Sequence, residues 1–94
     1  MGKHPRRRQK YLPRKLLAIR KALDASQNEM LRLLGAEDEL SRTNISNYEL
    51  GHREPPLYVV LEYARAARIS TDVLIGDNLE LPAKLRRIGN TRRG

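Results

Sequence analysis

The chain has 94 residues, a formal net charge of +8 and a pI of about 10.4, with 32% charged and 39% hydrophobic residues. That length holds one small domain. The absence of cysteine excludes disulfides and thiolate metal sites, so an apolar core alone must hold the fold. Taken in chain order, residues 1–12 read as a basic, proline-punctuated arm, and the first fifteen residues carry seven basic side chains and no acid. Such a segment buries too little apolar surface to order itself. Pro13 suits a first helical turn, and Leu16, Ile19 and Leu23 follow at helical spacing with Leu12 extending the stripe, which predicts a helix over 13–24. Ser26-Gln27-Asn28-Glu29 has the form of a capping box, opening a second helix that buries Met30, Leu31 and Leu34 and stops in a left-handed Gly35.

Ser41 is the next expected cap, with Leu40 and Ile45 placed for a hydrophobic staple. On the third helix, Ile45 and Tyr48 face one way and Arg42, Thr43, Ser46 and Asn47 another, and Gly51 ends it. Pro55-Pro56 block a helix before them and permit one after. Leu57, Val60, Leu61, Ala64 and Ala67 are the predicted buried stripe of a fourth helix, and Ser70 caps a fifth through Val73, Leu74 and Ile75, closed by Gly76. Residues 77–94 read as a linker and a basic tail, the last thirteen carrying five cations and no acid. Within the tail, Leu81, Leu85 and Ile88 are spaced to dock as an extra helix, for which a dimer interface is one use. Residues 16–81 hold seven basic and all eleven acidic residues, so the positive excess belongs to the two ends. The predicted organisation is an arm over 1–12, a domain over 13–76, and a linker with tail over 77–94. The fold class is all-α, a compact five-helix domain between basic N- and C-terminal arms.

No membrane contact is expected. The longest apolar run behind the basic start, Leu16-Leu17-Ala18-Ile19, is too short for a signal peptide, and Met1-Gly2 is followed by Arg6 where myristoylation needs Ser or Thr. The expected address is the cytoplasm. Enzyme readings are thin. No catalytic residue, metal site or cofactor is expected, because there is no Gly-rich phosphate loop and only His4 and His52 are present. The three acids of Ala36-Glu37-Asp38-Glu39-Leu40 read as solvated rather than as metal ligands.

Two short helices joined by a Gly-containing turn in a basic all-helical chain suggest helix-turn-helix DNA binding. Three ordered blocks sharpen this. Ser26 to Gly35 resembles the second helix of the phage repressor (Cro/C1-type, XRE) family, Asn44 to Pro55 its third helix and following loop, and Ile69 to Leu74 its last helix. The resemblance covers roughly residues 13–76 and implies a lambda-repressor-like domain whose third helix, about 41–50, enters the major groove of double-stranded DNA. It implies base contacts from Arg42, Thr43, Ser46 and Asn47. These residue types are chemically suited to base edges. Arg can donate two bonds to guanine, Asn can pair with adenine, and Thr offers both a hydroxyl and a methyl group. The solvated-face reading competes for these four residues.

The resemblance also implies phosphate contacts from Gln27 and Asn28 at the start of the second helix and from Arg53 in the 51–55 loop. For Asn28 simple capping-turn polarity is an equal reading, and His52 reads as a solvated loop residue. The cluster Arg6, Arg7 and Arg8 would track a narrow minor groove, against a purely solubilising role. Arg20 and Glu49 match a structural ion pair that orients the third helix. One departure stands out: the stretch from Gly35 to Ile45 is longer than the family's usual turn. It leaves the register of Arg42 and Thr43 open, and its acids are expected to point away from phosphate.

The leading reading is a sequence-specific DNA-binding transcriptional regulator, bacterial or phage, acting as a homodimer. Two rivals stand beside it. One is an antitoxin-type or adaptor protein that binds a protein partner through the same domain. The other is an RNA binder using the basic arms; the scarcity of aromatics argues against single-strand recognition.

Overall fold

A computed structural model of the chain describes residues 8–83 and 85, so Arg6, Arg7 and Ile88 lie outside the described residues. Five α-helices and no strand occur among the described residues: α1 (Leu12–Ala22), α2 (Gln27–Leu34), α3 (Arg42–Leu50), α4 (Leu57–Ala67) and α5 (Thr71–Ile75). They close around one core in which Leu16, Ile19, Met30, Ile45, Tyr63 and Leu74 are fully enclosed.

The N-terminal half follows the local signals. Leu12, Leu16 and Ile19 of α1 enter the core, and Pro13 sits in its first turn. The helix ends at Ala22 rather than at residue 24, because Asp24 turns into the left-handed region with φ 58°. At α2, Ser26 Oγ accepts the Glu29 N–H at 3.0 Å and Glu29 Oε1 accepts the Ser26 N–H at 2.7 Å, a complete capping box. Gly35 follows at φ 68°, where a side chain would be strained.

The long connection from α2 to α3 is anchored by Ala36, which is buried and whose carbonyl accepts the N–H groups of Glu39 and Leu40. Glu37, Asp38 and Glu39 are exposed, and Leu40 packs against the core cluster that contains Ile45. At the head of α3 the Asn44 side chain does the capping, its Oδ1 accepting the Ser41 N–H at 2.8 Å. Gly51 ends α3 at φ 79°, and a Cβ there would lie 3.4 Å from Pro13 Cγ, which shows how closely the start of α1 abuts the end of α3.

Two expectations for the C-terminal half need correction. The buried stripe of α4 is Val59, Val60, Tyr63, Ala64 and Ala67, whereas Leu57 and Leu61 are exposed, Leu57 by 83%. Five apolar residues in a row, Leu57 to Leu61, permit two rotations of the helix, and the bulky Tyr63 ring selects the one that fills the core. At α5, Ser70 holds the capping position in extended backbone but its side chain makes no capping hydrogen bond. Gly76 ends this helix at φ −76°, not left-handed; its lack of a Cβ matters because one would stand 2.8 Å from the Asp72 carbonyl.

The ends of the domain are tied to each other. Lys15, grouped by sequence with the basic N-terminal charges, is only 7% exposed, and its Nζ donates to the carbonyls of Val73 at 2.7 Å and Gly76 at 2.8 Å. It thereby satisfies carbonyls at the end of α5. In return, the Asp77 carboxylate accepts the backbone N–H groups of Lys10 at 3.0 Å and Tyr11 at 3.1 Å, just ahead of α1. Beyond Asp77, Leu81 packs on the core and Leu85 is buried in it.

Candidate nucleic-acid interface

The best-defined polar feature lies where α1, α2 and α3 meet. Arg20 Nε donates to Glu49 Oε2 at 2.6 Å, Arg20 Nη2 donates to Glu49 Oε1 at 3.0 Å, and Arg20 Nη1 donates to the Ala25 carbonyl at 3.0 Å. Gln27 Nε2 donates to Glu49 Oε1 at 3.2 Å. One buried carboxylate therefore receives three donors from two neighbouring helices, and its charge is compensated by a planar guanidinium gripping it twice. The bond to Glu49 holds the Arg20 guanidinium above its ordinary pKa against the opposing effect of burial. Tyr63 lies beside this pair, and burial followed by the Glu49 charge pushes its phenol well above the usual tyrosine range.

This junction fixes α3 from behind. On the other side of α3, Arg42 and Thr43 are exposed and Ser46 and Asn47 are half-buried, and the helical repeat puts all four on one face. Leu50 continues that face and is 63% exposed. The turn after α3 folds back on it, with the Asn47 carbonyl accepting the N–H groups of His52 at 2.9 Å and Arg53 at 3.3 Å. That places Arg53 at the C-terminal end of the face. Its guanidinium is close enough to Tyr48 to oppose the upward shift that burial gives that phenol.

Of the residues singled out from sequence, the structure therefore brings Arg42, Thr43, Ser46 and Asn47 onto one surface, with Arg53 at its end. Asn28 is exposed in the first turn of α2, and Gln27, beside it, is engaged with Glu49. Arg8 lies 3.5 Å from Glu54, with the Arg8 side chain exposed and that of Glu54 half-buried. Sequence reasoning missed the roles of Lys15 and Leu50. It also missed Lys10 and Arg14, whose cations lie 5.9 Å and 5.2 Å from the centre of the Tyr11 ring. The four-residue spacing of Lys10 and Arg14 around an aromatic was the available signal.

A family model described as helix-turn-helix matches residues 16–74. The chain belongs to the helix-turn-helix family of the Cro/C1 type. The matched span runs from within α1 to within α5, so it contains both helices of the motif and the packing that supports them. Members of this family are DNA-binding regulators of transcription. No match to the chain was found among curated proteins or among solved structures. Among the described residues no helix is long and apolar enough to cross a membrane, and no group of three or more His, Asp or Glu side chains is positioned to hold a metal ion.

Proposed function

We propose that this helix-turn-helix protein reads double-stranded DNA sequence-specifically as a transcriptional regulator, with α3 in the major groove and no catalytic step. The observation that carries this reading is the pairing of a polar outer face on α3 with a part-buried ion pair that fixes its inner face. Rigid support is what base discrimination requires, because a bidentate contact tolerates little displacement. Arg42, Thr43, Ser46 and Asn47 contact bases. Gln27, Asn28 and Arg53 hold phosphates; Gln27 has a second amide hydrogen to offer while the first holds Glu49. Arg8, with Arg6 and Arg7, adds arm contacts. Arg8, whose side chain is exposed, can exchange its 3.5 Å contact with Glu54 for a phosphate.

A homodimer would present two α3 helices to half-sites about 34 Å apart, one helical turn of DNA. Selection from a pool of random duplexes at two salt concentrations tests the whole reading. A recovered two-fold motif with half-sites one turn apart supports it, and recovery without sequence preference refutes it. Binding to structured RNA in preference to duplex DNA at matched salt would transfer the function to the RNA reading. Co-purification of a small protein that occupies α3 would transfer it to the antitoxin or adaptor reading.

A further inference from the structure

A groove of about 660 Å³ opens between the first turn of α1 and the turn that follows α3. Its rim carries four cations, Arg8, Lys10, Arg14 and Arg53, and all four side chains are exposed. Apolar groups, Leu17 and Leu50 among them, line it as well. Its acids are Glu49 and Glu54; the first is engaged by Arg20 and Gln27 and the second lies 3.5 Å from Arg8. Lys10 and Arg14 are held over the Tyr11 ring, at 5.9 Å and 5.2 Å, which limits the conformational freedom they would lose on binding an anion.

The groove is continuous with the α3 face. Arg42, Ser46 and Leu50 are successive members of one four-residue row, and Leu50 is also a groove wall. A duplex lying along α3 would therefore carry its sugar–phosphate backbone past Leu50 and between the cations. The mixture of cations and apolar carbons along the groove matches phosphates joined by deoxyribose.

We propose that this groove is a second DNA-backbone track, in which Lys10 and Arg14 bind phosphates beyond the C-terminal end of α3. The inference rests on the reading of α3 as the DNA-binding helix. It assigns binding to Lys10 and Arg14, at the start of α1, which the helix-turn-helix motif itself does not include. Phosphate contacts of this kind add affinity and salt dependence without sequence preference.

The test is equilibrium binding of the full chain to a duplex recovered from the random pool, measured over a range of salt. Each neutralised phosphate contributes about 0.9 to the log–log salt slope, so Lys10→Gln with Arg14→Gln should flatten it by about 1.8. The ranking of preferred sequences should not change. Lys10→Arg with Arg14→Lys should keep the parent slope, and Arg65→Gln, outside the groove, should also leave it alone. If the glutamine pair lowers the thermal midpoint, Arg14→Gln alone gives the reading, with a flattening of about 0.9. An unchanged slope overturns the groove assignment while leaving the α3 reading intact. An altered ranking of sequences also overturns it, because it would put these side chains at bases. A parent chain that binds no duplex overturns the α3 reading and the groove with it.

Discussion

The guanidinium of Arg20 meets the carboxylate of Glu49 at 2.6 Å and 3.0 Å, joining the end of α1 to the end of α3 across the interior of the domain. Both side chains are largely withdrawn from solvent, 17% and 5% exposed. A charge so placed is tolerable only while its partner is present. Arg20→Ala strands the Glu49 carboxylate, and Glu49→Ala strands the guanidinium. Either change should cost about 3–5 kcal/mol in a denaturant titration. A loss below about 1 kcal/mol would put the pair in the class of exposed ion pairs instead.

The outer face of α3 should answer differently. Asn47→Ala and Arg42→Ala remove groups suited to bidentate base contact, and each should reduce discrimination at one DNA position by about 1–3 kcal/mol. Selection with each variant, compared with the parent, reads this directly. Identical recovered motifs would show that neither side chain reaches a base.

Lys15 should behave as a core residue despite its charge. Lys15→Met keeps most of the aliphatic volume and deletes the donor to Val73 and Gly76, leaving the end of α5 without its partner. The expected loss is about 1–3 kcal/mol by thermal or chemical unfolding. A stabilised variant would mean that desolvation of the ammonium, which lowers its pKa, outweighs the two hydrogen bonds.

Acid should weaken the start of α2 through Glu29. The Ser26 backbone N–H, then its side chain, hold the Glu29 carboxyl below its ordinary value. The folded state therefore keeps this carboxylate ionised at a pH where the unfolded chain has bound the proton. Its contribution is fully present above the ordinary glutamate range and disappears as pH falls through the lowered value. Glu29→Gln should show a shallower decline of thermal midpoint over that acid range than the parent. Parallel pH profiles would exclude Glu29 as a source of the dependence.

The helices and their ends were legible because capping and turn chemistry act over three or four residues. Ser26 with Glu29, Gly35, Gly51 and Pro55-Pro56 each act locally, and the structure keeps them where the sequence put them. The rotation of α4 was not legible, since Leu57, Val60 and Leu61 satisfy helical spacing as well as Val59, Val60 and Tyr63 do. Only the cavity left by the other helices decides between those rotations. The burial of Lys15 was hidden for a related reason. In the sequence it is one more cation in a basic run, and the carbonyls that receive it come from residues 73 and 76, far along the chain. For the interface, the α3 face was readable from periodicity, whereas the groove beside Leu50 exists only because α1 folds back against Gly51.

The Asp77 carboxylate gives the first ordered turn an unusual dependence. The amide hydrogens of Lys10 and Tyr11 are held by a residue from the opposite end of the domain. Their exchange with deuterated solvent should therefore follow the detachment of the C-terminal segment rather than fraying of α1 itself. Two backbone signals just ahead of α1 thus become a clock for events at Asp77, beyond α5.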